Sequence, residues 1–185
     1  MTYGMRCPHA EAAMQFLCSI GLSVHVEEGA CGFIENVAIV DGGLQVDPLA
    51  PASGLLHEAG HLAVMPSRFR HFLSGNLAEG MRRAFTALDQ MDLVPDDPLM
   101  RAMLQTSDPE VTAWAWAAGK AIGLPDQKII QDDDYQGEGG GIRIALAANS
   151  YIGINGLSHA GFCVARRNPY RPLPVYPELA HWLQQ

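Results

Sequence analysis

The chain has 185 residues, 48% apolar and only 17% charged, so it is long enough to bury a core and too apolar for a disordered segment. Its formal net charge of -8, with no long basic run, disfavours a general nucleic-acid binder, and no partner of that class is expected. No apolar run reaches membrane-span length, and the opening stretch MTYGMRCPHAEAAMQFLCSIG lacks a basic region followed by a long apolar one, so neither a membrane partner nor export is expected.

In chain order, residues 8–20 read as a helix, with Pro8 near its first turn and Gly21 beyond its end. Residues 22–26 alternate as a strand. Residues 32–40 and 44–46 read as two further strands around the tight turn Asp41-Gly42-Gly43. A helix follows, starting near Ser53 as a usable N-cap and ending before Pro66. After a loop over 66–75, Asn76 caps a helix over 77–88 with Glu79 at its third position. A turn at 95–98 precedes a short helix over 99–104. Residues 107–122 form the next strong helix, stopped by Gly123-Leu124-Pro125. Asp132-Asp133-Asp134 reads as a solvated acidic loop, and the glycines of 137–141 as a mobile turn bordering a site. Residues 142–148 fit either a helix or a strand. Residues 151–161 read as an irregular segment turning at Asn155-Gly156, before a proline-rich tail. The predicted fold is α+β, mainly helical with a small sheet beside the helix that begins near Ser53, in a single domain over 1–185. Cys7, Cys18, Cys31 and Cys163 form no CxxC pair, which favours reduced thiols in a cytoplasmic protein.

The most informative stretch is His57-Glu58-Ala59-Gly60-His61, an H-E-x-x-H pattern inside the apolar segment SGLLHEAGHLAVM. Imidazoles at i and i+4 share one helix face, roughly 6 Å apart, a separation that suits two ligands of one Zn²⁺. Glu58 lies about 100° around the helix, where it reaches a water on that metal and can act as its general base. Burying two histidines and a glutamate without partners is costly, and a metal removes that cost. Gly60 costs helix stability, and its presence implies close approach of another backbone.

Catalytic zinc normally has three protein ligands. Glu110 opens the alanine-rich helix and is the leading third candidate. The pattern Ser107-Asp108-Pro109-Glu110 also makes it a capping residue. His71, Asp132, Asp133, Asp134, Glu138 and His159 compete for the position. A metzincin arrangement would need glycine at 64 and histidine at 67, where this chain has Val64 and Ser67. Tyr135 and His159 are candidate hydrogen-bond donors to a developing oxyanion.

The segments SGLLHEAGHLAV and PEVTAWAWAAGKAIGLP resemble the zincin metallopeptidases, and most of all the compact peptidases related to ImmA and IrrE. The resemblance covers about residues 33–125. It implies His57, His61 and Glu110 as zinc ligands and Glu58 as the catalytic base. No DNA-binding extension is recognisable, which weakens any transfer of repressor cleavage with it. The expected activity is zinc-dependent hydrolysis of peptide bonds in a peptide or protein substrate held along a strand edge. The alternative is a non-catalytic zinc-binding domain that engages a protein partner.

Overall fold

The computed structural model describes residues 4–185. The first three residues of the stretch read for an export signal lie outside it. Helix α1 (Pro8–Ser19) starts on its proline and buries Ala10, Ala13, Met14 and Leu17. Strands β1 (Val24–Val26), β2 (Val37–Val40) and β3 (Gly43–Val46) form one sheet in the order β1-β3-β2. β3 is central, parallel to β1 and antiparallel to β2, with Val24 opposite Leu44 and Ile39 also opposite Leu44. The β2–β3 hairpin turns on Asp41 and Gly42, both at positive φ (49° and 76°), the twist that suits a two-residue hairpin. The alternating burial of β3 sends Leu44 and Val46 into the core.

Helix α2 (Ala52–Val64) is covered almost all round, by the sheet and α1 on one side and by α5 on the other. This explains why its apolar residues show no single stripe. It ends where Met65 turns extended ahead of Pro66. A 3-10 turn spans Ser67–Phe72, and α3 (Leu77–Asp89) begins where the Asn76 side chain accepts the Glu79 N–H at 3.0 Å. α4 (Pro98–Met103) leads into α5 (Asp108–Ala121), whose residues from Glu110 to Gly119 are buried. The short α6 (Asp126–Ile129) and α7 (Asp134–Gly137) are followed by α8 (Gly139–Ala147) and α9 (Gly153–His159). α9 packs on α5, so α5 is sandwiched between α2 and α9. The predicted fold class therefore holds: mainly helical, with a small three-stranded sheet and the H-E-x-x-H segment on α2.

Three local expectations are corrected. Ser53 does not cap α2; Pro51 occupies that position, and the Ser53 hydroxyl instead accepts from Gln131 Nε2 at 2.8 Å. The glycines at 139–141 open α8 rather than forming a mobile turn. Residues 153–159 are helical, with Asn155-Gly156 inside α9 rather than at a turn. The reason is tertiary: a Cβ on Gly153 would strike the Pro109 carbonyl, and one on Gly156 would strike the Glu110 carboxyl. Close approach to α5 selects glycine there despite its poor helix propensity.

Candidate metal centre

Two helices build the centre, and their faces are set by spacing. On α2, His57, Gly60 and His61 lie at i, i+3 and i+4, one face. On α5, Asp108, Val111 and Thr112 repeat the same spacing. Gly60 meets Val111: a Cβ at Gly60 would stand 2.8 Å from Val111 Cγ1 and 3.0 Å from the Val111 carbonyl. The missing side chain lets the helices close up; the close approach that the sequence implied is made by a helix. That closure brings Asp108, one turn before Val111, over the two imidazoles. One ligand atom each from His57, His61 and Asp108 all lie within 4.8 Å of one another. The imidazole rings stand edge to face with centroids 5.0 Å apart.

Sequence reasoning missed Asp108 because Glu110 filled the acidic slot on the same helix turn. Residues i and i+2 point to nearly opposite sides of a helix. With Asp108 facing α2, Glu110 faces α9, where its buried carboxylate accepts from the Ser107 hydroxyl and packs against Gly156. The structure thus brings His57 and His61 together with Asp108, and not with Glu110. The signal that could have found Asp108 is the i, i+3 relation to Val111, but only once Gly60 and Val111 are known to touch. His71 falls in the 3-10 turn after α2. Asp132 pairs with Arg143, and Asp134 accepts the Gln131 N–H at 2.7 Å. His159 is exposed at the end of α9, in a separate cleft with Asp96, Arg101 and Arg171, because α9 turns its glycine face, not His159, toward α5.

Burial dominates the electrostatics. It pulls His61 down to about 3, helped by neighbouring His57, and lowers His57 against the opposing pull of Asp108. Both imidazoles are therefore neutral at pH 7, the form a metal requires. His61 Nε2 lies 3.5 Å from Asp108 Oδ1, a distance within the range of an ion pair. A neutral His61 makes no ion pair, so the two atoms are better described as converging donors. Burial, reinforced by Asp108, raises Glu58 from 4.5 to about 7. Its Oε1 is the one buried side-chain polar atom without a hydrogen-bond partner among the described residues. An orphaned buried carboxylate oxygen demands an explanation, and a cation or a water beside it is the simplest. The donor set of two imidazole nitrogens and a carboxylate oxygen suits zinc. These residues have the make-up of a zincin-like metal site.

Tyr135 also reaches the cluster. Its hydroxyl lies 3.0 Å from His57 Nδ1 and 2.8 Å from Thr112 Oγ1. With Nδ1 so engaged, Nε2 is the nitrogen of His57 left for a metal.

Two clefts meet at the cluster. One, of about 640 Å³, runs past His57, His61 and Asp108 between Phe33 and the start of α3, where Leu77 and Met81 line it. The other, of about 440 Å³, runs past His57 and Asp108 along Ile34, Ile130, Gln131 and Tyr135. Phe33 borders both and is 91% exposed. Of the two edge strands, β2 is partly occupied on its outer side. On the outer side of β2, Ile39 O accepts the Gly75 N–H at 3.0 Å and the Val37 N–H returns to Ile34 O at 3.4 Å.

No protein-family model, curated protein or solved structure matches the chain. No helix among the described residues is long and apolar enough to cross a membrane. The four cysteines are unpaired.

Proposed function

We propose that the protein is a zinc-dependent hydrolase that cleaves peptide bonds in a peptide or protein substrate, with His57, His61 and Asp108 holding the metal and Glu58 as general base. The observation that carries this reading is the position of Glu58. It is buried, one of its oxygens is unpartnered, and its neighbours on α2 are the two histidines of the cluster. Zinc bound there would supply Lewis acidity, making a water acidic near neutral pH and polarising a carbonyl. Glu58 takes the proton of the attacking water and returns it to the departing amine nitrogen. Burial favours this, because a carboxyl group that holds a proton near neutrality both accepts and releases it readily. The two clefts give an extended chain a path on either side of the cluster. Phe33, exposed where they meet, offers an apolar contact to substrate side chains on both sides. This reading gives the third ligand position to Asp108 in place of Glu110, and assigns His159 no part in it.

The test couples zinc content to turnover. Wild type loaded with zinc is screened on a peptide library, and Glu58→Gln is then assayed on any peptide cut. The variant should keep zinc and lose at least about 100-fold in rate. Full turnover at full zinc would overturn the role of Glu58. Stoichiometric zinc without cleavage of any peptide would favour a non-catalytic zinc-binding domain. Chelator competition separates the acidic candidates. Asp108→Asn should weaken zinc binding by at least about tenfold, whereas Glu110→Gln should leave it unchanged and lower stability.

A further inference from the structure

Three hydrogen bonds behind His57 form a chain whose direction is set by hydrogen counting. Thr112 Oγ1 lies 2.8 Å from the Asp108 carbonyl, which has no hydrogen to give, so the threonine hydroxyl donates there. Having spent its one hydrogen, Thr112 can only accept from Tyr135, at 2.8 Å. Tyr135 has then spent its own hydrogen, and can only accept from His57 Nδ1, at 3.0 Å. This is the only assignment of hydrogens that makes all three bonds. It places the proton of neutral His57 on Nδ1 and leaves Nε2 bare.

We propose that Tyr135 and Thr112 are positioning residues that lock His57 in its Nδ1–H tautomer, and so hold its Nε2 lone pair ready for a metal. The chain also ends on the backbone of Asp108, so the same three bonds tie one imidazole to the residue that supplies the carboxylate. The turn that delivers Tyr135 is built for placement. Tyr135 and Gln136 are both left-handed, at φ 55° and 62°, a conformation that non-glycine residues adopt only when their surroundings enforce it. Two contacts secure the residues just before it: Asp134 accepts the Gln131 N–H, and Gln131 Nε2 donates to Ser53 on α2. A second consequence separates this role from oxyanion stabilisation. The tyrosine's single proton is already given to Thr112, so Tyr135 has none for a substrate. The inference rests on the metal-binding part of the reading above and is independent of whether the site hydrolyses anything.

The test uses the metal-free full chain and nitrogen-15 NMR of the histidine rings at neutral pH, with the His57 signals assigned by comparison with His57→Ala. Wild type should show His57 protonated at Nδ1. In Tyr135→Phe the signal should move to the Nε2–H form or a mixture. Thr112→Val should have the same effect with the tyrosine still present. It deprives Tyr135 of its acceptor and turns the phenol proton onto Nδ1. Thr112→Ser, which keeps the hydroxyl, should restore the wild-type signal. Zinc affinity by competition with a chromophoric chelator should follow the tautomer, falling about tenfold or more in Tyr135→Phe and Thr112→Val and recovering in Thr112→Ser. His57 protonated at Nε2 in wild type would overturn the proposal without any variant being needed. A tautomer and zinc affinity unchanged in both Tyr135→Phe and Thr112→Val would do the same. Zinc held as proposed by a protein that cleaves no peptide would leave this inference standing and remove only the hydrolytic reading.

Discussion

Removing the charge of Glu58 should stabilise the metal-free protein, and by an amount that grows with pH. Burial raises the folded-state value of Glu58 from 4.5 to about 7. A group raised in this way makes its full relative contribution below its unfolded value, and loses it as pH climbs through the folded value. At about 1.4 kcal/mol per pH unit, ionising the buried carboxylate costs about 1 kcal/mol at pH 5 and about 3 kcal/mol at pH 8. Glu58→Gln escapes this cost, and any penalty for an unpaired buried amide is the same at every pH. Acid protonation of His57 and His61 affects both proteins equally and cancels in the difference. Urea unfolding of metal-free wild type and Glu58→Gln, followed by circular dichroism, therefore has a clear expectation. The variant should gain about 2 kcal/mol relative to wild type between pH 5 and pH 8. A difference flat in pH, or one that moves in favour of wild type as pH rises, would refute the claim that Glu58 is buried as an uncompensated charge.

Two further outcomes follow from the packing around the site. Gly60→Ala places a methyl group against Val111 and should destabilise the protein by about 1–3 kcal/mol while weakening zinc binding, because it forces α5 away from α2. Helix propensity alone predicts the reverse, a gain of about 1 kcal/mol, so a more stable variant in thermal unfolding would disprove the close contact. Asp47, before α2, accepts N–H groups from Gly29 at 2.6 Å and Leu49 at 2.8 Å, and the Gly29 bond does most to lower its pKa below 3.8. Its lowered value means the carboxylate stabilises the fold above that pH and ceases to do so as pH falls through the folded value. Asp47→Asn should therefore be less stable than wild type at neutral pH, with the gap closing in acid. A gap unchanged down to about pH 2 would count against the two bonds.

What could be read from the sequence was whatever depends on near neighbours. The Asn76 cap, the Asp41-Gly42 turn and the i, i+4 histidines each need only a few adjacent residues, and the structure contains all three. Gly60 was legible as a mark of close approach, although not the identity of the approaching chain. The misses came from contacts between distant segments. Asp108 and Glu110 share a helix turn and a charge, and only the direction in which α5 faces α2 chooses between them. Gly153 and Gly156 suggest a loop by composition, yet both are required within α9 by the backbone and side chain of α5. Tyr135 was singled out for its hydroxyl, but its partners, His57 and Thr112, lie far away in sequence and gave no local sign of the hydrogen-bond chain.

The centre draws its donors unequally along the chain. His57 and His61 come from one turn of α2, whereas Asp108 comes from α5, with α3 and α4 between them in the chain. A metal captured early in folding would be held by two imidazoles alone, and would gain its carboxylate last. Metal bound in the finished centre would in turn staple two segments remote in sequence, raising the barrier to their separation. The rate at which such a metal exchanges with solution would then be a stopwatch for the parting of α2 from α5. Amide hydrogen exchange along those two helices should slow in step with it when zinc is added.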